Sequence, residues 1–102
     1  MKPLPIEEQI RILKRVLWLP FINCMCIRIA DVACNLGYDI TFTQVTDLIP
    51  TFNHNAYIEF YPKVKAVQVR ILWHFWDSDT IFGSLRRKWF IRHLIKELKK
   101  QL

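Results

Sequence analysis

Hydrophobic and polar positions follow a helical period along the first third of the chain. In residues 5–19, apolar side chains recur every three or four positions, which predicts an amphipathic helix. Pro5 suits the first helical position, and Pro20 ends the helix or kinks it. Residues 21–36 are apolar almost all the way round, so they predict a covered, central helix that Gly37 ends as a left-handed cap.

The next segment fits two patterns. Apolar and polar side chains alternate from 39 to 43, as in a strand. Thr41 and Gln44, however, have the spacing of a capping box, and the apolar residues that follow recur at helical intervals. The sequence favours a short helix over 42–49, with a strand as the alternative, and predicts a loop over 51–55.

The clearest alternation with a period of two comes next. It covers residues 56–61 and again residues 67–75, and it predicts two β-strands. The intervening "YPKVK" at 61–65 is a plausible connection, so we expect an antiparallel β-hairpin. Its second strand has one strongly apolar face, which we expect to pack on the helix at 21–36.

Residues 79–102 predict a long basic C-terminal helix, with Asp77, Ser78 and Asp79 as candidate caps. The chain has 102 residues, no internal repeat and no linker, so we expect a single domain over 1–102. The predicted fold class is α+β: two N-terminal helices, a short third helix or strand, an antiparallel β-hairpin and the closing helix.

Positive charge is concentrated in the closing helix. Residues 79–102 carry seven Lys or Arg against two acids, whereas the other 78 residues carry eight against seven. A solvated face or a binding surface for phosphates and carboxylates would both explain this pattern. The candidate binding residues are Arg86, Arg87, Lys88, Trp89, Arg92, Lys96, Lys99 and Lys100.

The two halves of this helix differ in pattern. In the second half, apolar residues from Ile91 to Leu102 share one face and cations occupy the opposite face. In the first half, Leu85 and Trp89 project towards the side that turns basic later. Either the helix bends near Lys88, or an apolar and aromatic patch continues into a cationic stripe.

The segment "IADVACNLGYD" at 29–39 resembles the first helix and turn of helix-turn-helix DNA-binding proteins. Ala33, Leu36 and Gly37 stand where that motif has a small residue, an apolar residue and the turn glycine. With 42–49 as the following helix and the hairpin as a wing, the order of elements is similar to that of a winged helix. The resemblance implies reading of a DNA major groove by the helix at 42–49.

That helix departs from the pattern. Thr43 and Thr46 occupy positions at which the motif buries apolar residues. The helix contains Asp47 and no Lys or Arg, whereas groove reading relies on Arg, Asn and Gln with cations nearby. We therefore place the candidate contact surface on the closing helix instead.

The three cysteines, Cys24, Cys26 and Cys34, all lie in the predicted second helix. No histidine follows them at zinc-ligand spacing, and residues two apart on a helix are poor disulfide partners. This pattern predicts that the three thiols are free and buried, in a protein of the reducing cytoplasm. We expect no metal and no cofactor.

Catalytic signals are weak. The sequence has no glycine-rich phosphate loop, nucleophile elbow or paired-histidine metal motif. His74, Asp77 and Asp79 form the only cluster worth testing, and the aspartates also suit helix capping. We expect a protein that is not an enzyme.

Two functions remain. One is non-enzymatic binding of nucleic acid through the closing helix. The other is a small inhibitor, of the kind that phages and mobile elements encode, that docks on an acidic surface of a larger nucleic-acid-handling protein. The longest apolar stretch contains Arg28 and Asp31, so we expect no membrane partner. The sequence leaves open whether the chain forms a homodimer.

Overall fold

The computed structural model describes residues 2–72 and 81–102, with the backbone alone for residues 68–72 and 82. Throughout this part of the chain, the regular secondary structure is helical. Its elements are α1 (Ile6–Leu17), α2 (Met25–Asn35), a 3-10 turn (Phe42–Gln44) that leads into α3 (Val45–Leu48), α4 (His54–Leu72) and α5 (Ile81–Lys99).

The predicted α+β fold with a β-hairpin is therefore wrong. The first predicted strand, 56–61, lies inside α4, and so do residues 67–72 of the second. The remainder of that second strand, with the caps predicted at 77–79, lies outside the described residues. The described residues contain no hairpin to form the wing of a winged helix. The expected packing of a strand on α2 is absent from the described fold as well.

A polar cap starts α4 at the end of the predicted loop. Asn53 Oδ1 accepts a hydrogen bond from the Ala56 N–H at 2.8 Å, which satisfies one of the free donors of the first turn. Asn53 Nδ2 also donates to the Pro50 carbonyl at 3.1 Å. The helix therefore begins inside the segment that the sequence assigned to a loop.

The buried side of α4 explains why the alternation was misleading. Tyr57, Phe60, Tyr61 and Val64 follow helical spacing, and they are the more covered positions of the helix. The alternation of apolar and polar positions arises only if Tyr57 and Tyr61 are counted with the polar face of a strand. In the structure their rings pack inwards, so the segment has a helical stripe.

The core lies mainly between α1 and α5. Helix α1 buries Ile12, Leu13 and Val16 completely, and α5 contributes Phe90 and Ile91. In the second half of α5, Leu94, Ile95 and Leu98 are also buried, as the sequence predicted, whereas Leu102, which was predicted on the same face, lies beyond the helix and is 68% exposed. Each fully buried side chain contributes about 1.5–3 kcal/mol, so the packing of α1 on α5 is a major source of stability.

The connection between α1 and α2 is fixed to the first turns of α5. The Ile22 N–H donates to Ser84 Oγ at 2.8 Å, and Arg87 donates to the Ile22 carbonyl at 3.0 Å. Because Ile22 follows the end of α1 and Ser84 lies near the start of α5, the two helices run in opposite directions.

Helix α2 ends as predicted. Gly37 has a φ of +99°, and its N–H donates to the Cys34 carbonyl at 3.0 Å. The Tyr38 N–H donates to the Ala33 carbonyl, also at 3.0 Å, which completes a Schellman motif. The Tyr38 hydroxyl donates to Glu8 Oε2 at 2.6 Å, and this bond to a carboxylate raises the pKa of Tyr38.

Helix α2 is covered on one face, which corrects the expectation that it lies fully inside the core. Its buried residues lie between Ile29 and Ala33, whereas Ile27 is 39% exposed. The three cysteines are free, but Cys24 and Cys34 are exposed. Cys24 precedes α2 in a left-handed conformation, and only Cys26 is partly covered, which raises the pKa of its thiol.

The helical alternative at 42–49 is the correct one. A 3-10 turn from Phe42 runs into α3, and Gln44 Oε1 accepts the Thr41 N–H at 2.9 Å, as a capping box requires. Val45 and Leu48 enter the core. The apolar residues of this segment thus follow the helical spacing.

Candidate anion-binding surface

The outer face of α5 carries a line of exposed cations. Arg92, Lys96 and Lys99 are all exposed and follow one another at helical spacing, and we call these three residues the α5 stripe. They point away from the core residues Ile91 and Leu94, which are at most 2% exposed. The sequence predicted this separation of faces in the second half of the helix.

Apolar residues lead into the α5 stripe from the start of the helix. Ile81 is 69% exposed and Leu85 is 37% exposed, and Trp89 is partly exposed at the next turn. This exposure fits the second of the two predicted arrangements, in which an apolar and aromatic patch continues into a cationic stripe. The patch gives the surface an uncharged end.

Arg86 is placed differently from the cations of the stripe. The residue is only 5% exposed, and its guanidinium lies 5.1 Å from the ring centroid of Tyr61 and 5.9 Å from that of Tyr57. Contacts of this kind are cation–π interactions. Burial raises the pKa of Tyr57, and the two neighbouring arginines partly oppose that shift. Arg86 therefore belongs to the contact between α4 and α5.

Arg87 and Lys88 are half-buried. Arg87 donates to the Ile22 carbonyl, so its guanidinium holds the connection between α1 and α2 in place. The eight residues predicted from the sequence are thus not one surface. Arg86 and Arg87 serve the fold, Lys88 and Trp89 are half-buried, and the α5 stripe with Lys100 is open to solvent.

Lys100 is partly neutralised. Its Nζ lies 3.1 Å from Glu97 Oε1, and both side chains are largely exposed. The hydrogen bond from Lys100 and its charge lower the pKa of Glu97, so this carboxylate stays ionised at neutral pH. An exposed pair of this kind contributes little to stability. It does reduce the positive potential at the end of α5.

Helix α1 adds cations to this surface that were not predicted from the sequence. A groove of about 500 Å³ lies between α1 and the end of α5, and we call it the α1–α5 groove. Its lining includes the following side chains: Arg11, Lys14, Arg15, Trp18, Lys99 and Leu102.

The groove is basic and has an aromatic wall. Glu7 is its one acidic lining residue among the described part of the chain, and Arg11 is engaged by Glu8 at 3.4 Å. Lys14, Arg15 and Lys99 are exposed, and Trp18 is 87% exposed. The helical spacing of the cations and Trp18 on α1 was the signal that would have revealed this face.

Lys99 belongs both to the α5 stripe and to the α1–α5 groove. The antiparallel packing of the two helices therefore joins two sets of cations into one continuous surface. Such a surface attracts anions at long range, and the exposed ring of Trp18 beside the cations suits a strand with free base faces.

Other kinds of site are not evident in the described residues. Across 2–72 and 81–102, no three His, Cys, Asp or Glu side chains are grouped as a metal site requires. The same ranges contain no helix that is both long and apolar enough to span a bilayer. The candidate cluster of His74, Asp77 and Asp79 lies outside the described residues.

Comparison of the chain with protein families, with curated proteins and with solved structures finds no match. The candidate site is therefore defined by its own geometry and charge.

Proposed function

We propose that this protein binds nucleic acid without catalysing a reaction, through the α5 stripe and its surroundings. The observation that carries the proposal is the exposed line of Arg92, Lys96 and Lys99 next to partly exposed Trp89. Phosphates pair with such cations, and an aromatic ring beside them offers a stacking surface. The net charge of +6 supports association with a polyanion.

The test is fluorescence anisotropy with labelled single-stranded and duplex oligonucleotides, between about 50 and 200 mM salt. Engagement of about four to six duplex phosphates gives a log–log slope of affinity against salt of about −4 to −5. A slope near zero with measurable binding would contradict a phosphate-based site.

Charge reversal of the α5 stripe locates the site. Replacing Arg92, Lys96 and Lys99 by Glu should abolish binding, because about three phosphate contacts become repulsive. The matched control replaces Lys2, Lys63 and Lys65, which are exposed outside the α5 stripe, by Glu; because Lys65 lies 5.9 Å from the Tyr61 ring centroid, the free energy of unfolding of both variants is measured beside binding. Both variants change the net charge equally, so equal losses would mean that only the total charge matters. Arg86 and Arg87 are left unchanged because they support the fold.

The alternative is a small inhibitor of the phage or mobile-element type, which would present the same surface to an acidic patch of a nucleic-acid-handling protein. Carboxylates and phosphates accept hydrogen bonds from the same cationic donors. Binding to an acidic protein is therefore the second possible result of the experiment. Absence of oligonucleotide binding at about 50 mM salt, with capture of one stoichiometric protein partner, would favour it.

A further inference from the structure

We infer that the α1–α5 groove holds a single strand of nucleic acid, with Trp18 as the ring on which a base stacks. This inference rests on the proposed function and extends its site from α5 onto α1. It assigns the main stacking role to Trp18, which was not predicted from the sequence, rather than to Trp89, which is only partly exposed.

The exposure of Trp18 is the first argument. An indole that is 87% exposed leaves a large apolar surface in water, whereas most tryptophans are largely covered. Trp89 is partly covered, so less of its ring is available. The backbone N–H of Trp18 donates to the Arg15 carbonyl at 3.2 Å, and this bond fixes the backbone from which the ring projects.

Charge complementarity is the second argument. Lys14 and Arg15 lie one turn before Trp18, and Lys99 of α5 lines the same groove. A ring and cations that line one groove match a strand whose bases stack while its phosphates pair with Lys and Arg. Protein interfaces use exposed tryptophan as well, so the comparison of single strand with duplex, and not the ring alone, separates the two kinds of partner.

The form of the nucleic acid follows from the ring. In a duplex the bases are stacked on each other, so an aromatic side chain on a protein surface meets only the sugar–phosphate edge. In a single strand the base faces are free, and every base has one. The groove therefore favours single strands with little dependence on base sequence.

The experiment compares the variants Trp18→Ala, Trp18→Phe and Trp89→Ala, with a labelled oligothymidine of about twelve nucleotides and a duplex of the same length as probes. Loss of a stacked base weakens binding of the single strand by about 5- to 150-fold in Trp18→Ala. Trp18→Phe restores most of the affinity, since it keeps a ring. Duplex affinity and the salt slope should stay close to wild type, because no phosphate contact is lost.

Each result has one meaning. If Trp18→Ala binds the single strand within about twofold of wild type while reversal of the α5 stripe abolishes binding, the stacking inference is wrong and the proposed function stands. If Trp89→Ala causes the larger loss, stacking belongs to α5 and the inference is wrong again. If neither oligonucleotide binds wild-type protein, both proposals fail and an acidic protein partner becomes the better hypothesis.

Discussion

Ser84 shows how a single small polar side chain holds a connection on the core. Its Oγ accepts the Ile22 N–H at 2.8 Å, with Ser84 3% exposed and Ile22 fully buried. Ser84→Ala leaves that buried N–H without its acceptor, and such a loss costs about 1–3 kcal/mol. We expect the free energy of unfolding, measured by urea denaturation, to fall by this amount.

The matched control for this change is Thr46→Ala, which also removes one hydroxyl but at an exposed position of α3. A surface substitution of this kind should alter the free energy of unfolding by less than about 0.5 kcal/mol. Equal effects of the two variants would show that the Ser84 bond has no special weight in the fold.

Arg86 marks the limit of what residue type can predict. Arginine is almost never fully buried unless it is paired, so the sequence placed it on the surface with its neighbours. In the structure, Tyr57 and Tyr61, one turn apart on α4, present two rings to its guanidinium. That pair of rings was visible in the sequence, but only the helical assignment of α4 puts both on one side.

At the scale of elements, the helices at the two ends of the chain were predictable and α4 was not. Helix α1 and the second half of α5 each have an apolar stripe with a polar opposite face, so their helical period is clear. The sequence of α4 is rich in β-branched and aromatic residues and contains Pro62, both of which favour strands and turns. Tertiary contacts with α5, such as Tyr57 against Phe90 at 5.1 Å between centroids, decide its conformation.

Pro62 allows the helix and the hairpin to be distinguished by experiment. It lies inside α4 and is exposed, so it removes one backbone hydrogen bond without filling the core. Pro62→Ala supplies the missing N–H, and we expect the free energy of unfolding to rise by about 1–3 kcal/mol, with a gain of helical circular dichroism. In a hairpin connection, the same change would lower stability.

Pro50→Ala is the control for this prediction. Pro50 is exposed in the turn after α3, where a fixed φ reduces the freedom of the unfolded chain. Its replacement should therefore lower the free energy of unfolding, by about 0.4–1 kcal/mol. Opposite signs for the two proline variants would support α4 as an uninterrupted element.

At the scale of the whole molecule, the sequence located only part of the charged surface. Counting charges along the chain assigned nearly all of the positive excess to the closing helix. Folding places Lys14 and Arg15 of α1 in one groove with Lys99, although more than eighty positions separate them along the chain. A count along the sequence cannot show this, since it depends on the antiparallel packing of α1 on α5. Folding also withdraws Arg86 from the surface.

A surface that gathers cations for a polyanion should weaken the free protein, because like charges repel when no ligand is present. Arg92→Glu tests this balance. The new carboxylate lies four residues from both Lys88 and Lys96, and each such pair contributes about 0.2–0.5 kcal/mol on a helix. Arg92 is in the middle of α5, so the helix dipole has little influence on the result.

We therefore expect Arg92→Glu to change stability and binding in opposite directions. Thermal unfolding of the free protein at low salt should occur at a higher temperature, and the gain should shrink as salt screens the charges. Affinity for the oligonucleotides should fall, with a shallower salt slope. Arg92→Gln removes the charge without adding pairs, so it should weaken binding less and stabilise less. If Arg92→Glu lowers both stability and affinity, Arg92 supports the fold, and the α5 stripe is not a surface kept cationic for a ligand.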